Sequence, residues 1–242
     1  MIGFFDSGVG GLTVLEHVHR RLPAYDTFYF GDTAHAPFGN KTHEEIFEYT
    51  WEGCKRLFNE GCGLVIVACN SASSSALRRI QQERLSEYPG KRVLGVIRPT
   101  VEELARKGHK EIAVLSTVAT KASGAYVKEF EKLNADIRVI SHACPNWAPL
   151  VEQGMTDLSE TKADVERELQ ALDAVSKTYD AILLGCTHYP VLLPLIKAAL
   201  PRPVPVYEQG PIVAESLADY LNRHPEIEST LTKNSKRFSL YT

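Results

Sequence analysis

No apolar run in the chain approaches the ~20 residues that cross a bilayer, so no helical membrane anchor is expected. A basic face is missing as well: 27 Lys and Arg stand against 30 Asp and Glu, and only short pairs such as Arg78-Arg79 cluster. A surface that tracks phosphates needs a basic stripe, and its absence argues against nucleic acid as a partner. Gly (16) and Pro (13) are too few among 242 residues for a fibrous or low-complexity chain. None of the five cysteines (Cys54, Cys62, Cys69, Cys144 and Cys186) lies in a C-x-x-C pair, which argues against a zinc or thioredoxin-type motif. The first residues, Met1-Ile2-Gly3-Phe4-Phe5-Asp6, lack the basic segment of an export signal and enter a strand-like run at once. The expectation is a cytoplasmic chain whose thiols stay reduced.

What is present is alternation. Short, continuously apolar runs are expected as strands: Ile2–Phe5, Thr27–Phe30, Leu64–Ala68, Arg92–Val96, Ile112–Leu115, Arg138–Ser141, Ala181–Leu184 and Val204–Val206. Helical patterns separate them over Leu12–Arg21, His43–Glu60, Ala72–Tyr88, Pro99–Lys107, Ser123–Leu133, Ser159–Thr178 and Val191–Leu200. This order predicts parallel βαβ units and an α/β fold. The end of the chain, Phe238–Thr242, reads as one more strand.

The pattern also repeats. Leu64-Val65-Ile66-Val67-Ala68-Cys69-Asn70-Ser71 is echoed by Ala181-Ile182-Leu183-Leu184-Gly185-Cys186-Thr187-His188, and Ile2–Ser7 by Ile112–Thr117 at a similar spacing. Two related α/β lobes are therefore expected, the first from 1–97 plus 208–242 and the second from 98–207. Ligands of open parallel sheets bind beyond the carboxyl ends of the strands. Two lobes facing each other would set Cys69 and Cys186 on opposite sides of one cleft.

Each motif has a plain alternative. Asp6-Ser7-Gly8-Val9-Gly10-Gly11-Leu12-Thr13 follows a strand and opens a helix, a good seat for a carboxylate or simply a tight turn; Thr13 denies it the dinucleotide fingerprint. The Gly31-to-Asn40 loop is either a binding loop or a shaped turn around Asp32. A single buried cysteine is usually packing, but Cys69 and Cys186 each stand at a strand-to-helix turn, where a thiolate is favoured. Cys54, Cys62 and Cys144 lack that setting and read as filler. His188, two residues after Cys186, suits proton handling better than metal chelation, because no third ligand stands out.

These residues together resemble the cofactor-independent Asp/Glu racemase family, over nearly the whole chain and in family order. The resemblance rests on Asp6–Val14, Gly31-Asp32-Thr33, Pro37-Phe38-Gly39, Ala68-Cys69-Asn70-Ser71, Thr117, Thr120, Ser123–Tyr126, Ala143-Cys144-Pro145 and Pro149–Glu152. Gly185-Cys186-Thr187-His188-Tyr189-Pro190 is the most specific stretch and points to the glutamate branch. The chain has Ser71, Phe38, Ala119 and Glu208-Gln209 where the family commonly has Thr, Tyr, Gly and Asp-Ser.

The resemblance implies two pseudo-symmetric flavodoxin-like lobes, a homodimer, and no cofactor or metal. It implies L- and D-glutamate interconversion that supplies peptidoglycan, with Cys69 and Cys186 moving the α-proton. Asp6 would support Cys69, while His188 and Glu152 would support Cys186. Ser7, Phe38, Gly39, Asn70, Ser71, Thr117, Thr120, Thr187 and His188 would join Asp6 in holding the substrate. A racemase of another amino acid and an inactive two-lobed amino-acid-binding homologue remain the alternatives.

Overall fold

A computed structural model describes residues 1–242. Nine strands form two sheets, in which every pairing is parallel. The strands are β1 (Ile2–Asp6), β2 (Thr27–Gly31), β3 (Leu64–Val67), β4 (Arg92–Gly95), β5 (Glu111–Ser116), β6 (Arg138–Ala143), β7 (Ala181–Gly185), β8 (Val206–Tyr207) and β9 (Arg237–Tyr241). The helices are α1 (Leu12–Arg21), α2 (His43–Asn59), α3 (Asn70–Ser75), α4 (Leu77–Arg79), α5 (Ile97–Arg106), α6 (Val118–Ser123), α7 (Ala125–Leu133), α8 (Trp147–Glu152), α9 (Ser159–Val175), α10 (Leu193–Ala199), α11 (Gln209–Arg223) and α12 (Pro225–Glu228).

The first sheet has the order β4-β3-β1-β2-β9 and the second β6-β5-β7-β8. Leaving β9 aside, both share one winding: the founding strand lies inside, the second on one flank, the third and fourth on the other. The expected α/β class with two related parallel-sheet lobes is thus what the chain forms. Such a sheet has its topological switch between the first and third strands. In the two sheets that point falls between β1 and β3 and between β5 and β7.

Alternation of side chains explains how each sheet is buried on both faces. Phe5, Val65 and Val67 pack on Ile46, Phe47 and Trp51 of α2, while Ile2, Phe4, Leu64 and Ile66 pack on α1 and on Val213, Leu217 and Leu221 of α11. In the second sheet, Ala113, Leu115, Ile182 and Leu184 face α9, and Ile112, Val114, Ala181 and Leu183 face α5 and α7. Burying each of these larger side chains is worth about 1.5–3 kcal/mol.

Several boundaries differ from expectation. The helix expected over Ala72–Tyr88 starts earlier, at Asn70, and is broken after Ser75 into α4, a π turn and a 3-10 turn. Serines go with the break: Ser74 Oγ donates to the Ser71 carbonyl (3.0 Å), competing with the helix ladder, while Ser73 Oγ ties the helix back to the Val67 carbonyl at the end of β3 (2.7 Å). Gly124, at φ 64°, divides α6 from α7 inside the expected Ser123–Leu133 helix. The strand expected at Val204–Val206 begins only at Val206, since Pro203 and Pro205 bring no N–H to a ladder.

Helix α11 lies outside the helices expected from the sequence, and its first turn holds Gly210-Pro211. Proline is tolerated in a first turn. Gly210 is required there: a Cβ would come within 2.8 Å of the Thr13 carbonyl and 2.5 Å of the His17 ring. β9 pairs with β2, so the end of the chain returns to the first sheet.

Candidate active site

Strand tips at the two switch points face each other. Asp6 and Ser7 end β1, Cys69 follows β3, Ser116 and Thr117 end β5, and Cys186 follows β7. Ser7, Phe38, Gly39, Cys69, Asn70, Ser71, Thr117, Glu152, Cys186, Thr187 and His188 line one cavity of about 10 Å³, together with Pro37 and Ala148. Both thiols therefore border the same enclosed space. A volume of that size holds about one water, so the cleft as it stands is closed to a larger molecule.

Asp6 and Thr120 stand behind this wall. Asp6 is fully buried; its carboxylate accepts from the Gly8 N–H (3.0 Å) and from Thr187 Oγ1 across the cleft (3.1 Å). Burial pushes its carboxyl above the usual range, against the nearby His188 charge and these hydrogen bonds. Thr120 bonds to Thr117 (3.1 Å), whose hydroxyl meets Ser71 (2.9 Å) and caps α6. The Ser71 hydroxyl thus still ties the lobes together.

Cys69 is the N-cap residue of α3, and its thiol donates to Ser7 Oγ at 3.5 Å. Burial, reinforced by the Asp6 charge, pushes that thiol up to about 12, in spite of Ser7 and the Ala72 N–H. Across the cleft, Cys186 Sγ lies 3.7 Å from His188 Nδ1, and His188 Nε2 lies 2.5 Å from Glu152 Oε1. Burial opposes a charge on His188. Its bonds to Cys186 and Glu152, and the Asp6 carboxylate, outweigh that and raise it to about 10. Burial alone would raise Glu152, but the His188 contact and the Val9 N–H hold it below the usual range. One side of the cleft carries a protonated thiol over a buried acid, and the other a cysteine–histidine–glutamate chain.

The glycine loop is where the lobes touch. The Val9 N–H donates to Glu152 Oε1 (3.1 Å), and Thr13 Oγ1 donates to the Thr187 carbonyl (2.9 Å). A Cβ on Gly8 would stand 2.0 Å from Glu152 Oε1, and one on Gly10 would stand 2.6 Å from both the His188 ring and Thr187 Oγ1. Close approach of a neighbouring lobe thus explains these two glycines.

A second polar cluster ties the lobes behind Cys69. Asn70 Nδ2 donates to Gln209 Oε1 (2.6 Å), and Tyr126 donates to Asn70 Oδ1 (2.6 Å). Gln209 Nε2 donates to the Tyr126 hydroxyl (2.9 Å) and to Thr100 (3.2 Å). Gln209 is 3% exposed and every member of the cluster is buried. Sequence reasoning named Gln209 only as a departure from a pattern; a polar residue opening an amphipathic helix beside the lobe crossing was the available signal.

Asp32 and His35 stand outside the cleft, while Pro37, Phe38 and Gly39 of the same loop line it. Asp32 pairs with His35 Nδ1 (2.8 Å) and accepts from Thr242 Oγ1 (3.0 Å), while His35 stacks on Tyr49. Its role is to shape the turn. Cys54 and Cys62 are buried, and burial raises their thiols to about 12 and about 11.

The chain matches the model of the family described as Asp/Glu/Hydantoin racemase over residues 9–217. It is 42% identical over 240 residues to a glutamate racemase from Ruegeria pomeroyi, covering 95% of this chain and 88% of that one. It superposes on the crystal structure of a glutamate racemase isoform from Bacillus anthracis with a TM-score of 0.86 and 32% identity, covering 100% of this chain and 87% of the other. The Francisella tularensis glutamate racemase, solved in complex with D-glutamate, gives a TM-score of 0.87 at 27% identity over 100% and 87% of the two chains. With the paired strand-tip cysteines in one cleft, these likenesses mean that the chain belongs to the Asp/Glu/hydantoin racemase family and is an amino-acid racemase.

Proposed function

We propose that the protein interconverts L- and D-glutamate by moving the α-proton between two cysteines, and that it supplies D-glutamate for peptidoglycan. The observation that carries the reading is that Cys69 and Cys186, from different lobes, border one cavity. Inversion needs a base on one face of the α-carbon and an acid on the other, with the roles exchanged for the opposite enantiomer. The glutamate racemase names of the relatives, and the D-glutamate in the Francisella structure, support the substrate.

In this reading Cys69 serves one enantiomer and Cys186 the other. The Cys69 thiol, held protonated by burial, is ready to donate. It becomes a base when a substrate ammonium enters beside it and favours the thiolate. His188, oriented by Glu152, exchanges a proton with Cys186 and holds positive charge near the developing carbanion. The N–H groups at the starts of the helices after Cys69 and Thr117, with the Ser7, Asn70, Ser71 and Thr187 side chains, receive the carboxylates. Phe38 and Gly39 close the wall. No pyridoxal phosphate or metal takes part.

The lobes of this working unit divide at 1–97 with 208–242 and at 98–207. A homodimer in the cytoplasm, where thiols stay reduced, goes with the reading. Proton NMR of L- and D-glutamate with the protein in deuterated buffer tests it. Loss of the α-proton signal from both enantiomers, with optical inversion, is expected; no exchange from either, with folded protein, would overturn it.

A further inference from the structure

Away from the cleft, strand and helix periodicities bring a second set of chemical groups together. His142 at the end of β6 and Cys144 just beyond it are two residues apart, so they leave one face of the strand. Asp164 and Glu168 of α9 are four apart, so they share one face of the helix. The two faces meet. His142 Nε2 lies 2.8 Å from Glu168 Oε2, and donor atoms of His142, Cys144 and Glu168 all lie within 4.8 Å of one another.

Cys144 is 1% exposed, and the His142 and Glu168 side chains are largely buried. Asp164 is more than nine-tenths buried, and its Oδ2 has no hydrogen-bond partner. Its Oδ1 is taken by Asn146 (2.9 Å) and by Arg167, which also reaches Glu168. The Glu168 and Asp164 charges, after burial itself, help push the Cys144 thiol up, which places both carboxylates in its neighbourhood. Packing alone accounts for a buried cysteine, but not for a buried imidazole–carboxylate pair around it, with an orphaned carboxylate oxygen one turn away on the same helix face.

We propose that His142, Cys144 and Glu168, with Asp164 as the nearby fourth donor, bind a thiophilic divalent transition metal of the zinc class. Imidazole, thiolate and carboxylate are the donors zinc takes, at about 2.0–2.3 Å. The His142, Cys144 and Glu168 donors, within 4.8 Å of one another, need draw in by only about 1 Å to reach the spacing of such a shell. Binding releases the thiol proton to solvent, while the neutral imidazole ligates through one ring nitrogen and keeps its proton on the other. None of these residues lines the racemase cleft, although Cys144 packs in the same core cluster as Cys186, and the site has a structural consequence. The Cys144 carbonyl accepts from Tyr189 (2.9 Å), and the segment after it leads into α8, which ends at Glu152. A bound ion would therefore tie the base of the Glu152 segment to α9.

The test is titration of the purified, metal-free, full-length protein with Zn²⁺, and with Co²⁺ as a spectroscopic probe. The expected result is one equivalent of Zn²⁺ bound, a raised melting temperature and a cobalt–thiolate charge-transfer band. The band disappears in Cys144→Ala and persists in Cys69→Ser and Cys186→Ser. His142→Gln, a polar replacement of similar reach that keeps the test open should Cys144→Ala not fold, weakens Zn²⁺ by more than the roughly 10–100-fold typical of losing an outer-shell partner. No band with folded wild-type protein, or a band that follows Cys186 instead of Cys144, overturns the site.

Discussion

The two walls of the cleft share a backbone plan and differ in their proton chemistry. Each thiol follows an inner strand of a sheet wound in the same order. On the Cys69 side the neighbours are a hydroxyl and a fully buried acid, and the thiol is held protonated. On the Cys186 side a histidine is held charged by its bonds to Cys186 and Glu152. The lesson is that a repeat can preserve the position of a reactive atom while each half assigns it a different proton partner. A reaction between mirror images is symmetric in its end points. The machinery that performs it need not be.

The largest expected effect removes either thiol. Cys69→Ser and Cys186→Ser should each lower racemisation by more than about 100-fold, within the range lost with a general acid or base. Circular dichroism of glutamate over time reads this, and near-normal turnover in either variant would remove the two-sided account. Gly10→Ala comes next, because its Cβ falls 2.6 Å from the His188 ring and Thr187. Incomplete closure should cost on the order of 10–100-fold in kcat/KM, since about 1 Å of misplacement is felt at that scale. The far-ultraviolet spectrum should stay native.

His188→Asn sharpens the comparison itself. Enantiomers have equal free energies, so kcat/KM must fall equally in both directions. The asymmetry appears instead in kcat and in the isotope effect with each α-deuterated enantiomer. Equal changes in both would deny His188 a side.

Much of this was legible in the sequence because strands buried on both faces are written as continuous apolar runs. Every expected strand from Ile2 to Ala181 is found, within two residues at its ends. The paired cysteines were legible because they close two such runs in the same way. What pairs across the cleft was harder to read. Thr187 to Asp6, Val9 to Glu152 and Gln209 to Tyr126 are contacts between lobes, each set by close approach at glycines or by the helix start at Gln209-Gly210-Pro211. His142 and Cys144 were equally quiet, because their partners on α9 are distant in the chain.

Charge on the Cys186 side has a defined pH window. A histidine raised from 6.5 to about 10 contributes stability present in full below pH 6.5 and lost as pH rises through about 10. Glu152, held below its ordinary 4.5, contributes stability present above that value and lost as pH falls through its lowered one. Glu152→Gln should move the His188 titration down toward 6.5, followed by NMR of the histidine ring; an unmoved titration would break the pair. The smallest effect concerns the seam behind Cys69. Gln209→Ala leaves the Asn70 amide without its partner, and urea denaturation should show a loss of about 1–3 kcal/mol.

The measurement that goes most directly to the central claim is α-proton exchange in deuterated buffer by Cys69→Ser and Cys186→Ser, each offered L- and D-glutamate separately. Each variant keeps one thiol. The account predicts that each exchanges the α-proton of a single enantiomer without inverting it, and that the two variants choose opposite enantiomers. Exchange of the same enantiomer by both variants, or of both enantiomers by either one, would contradict a cleft in which each thiol serves one face of the α-carbon.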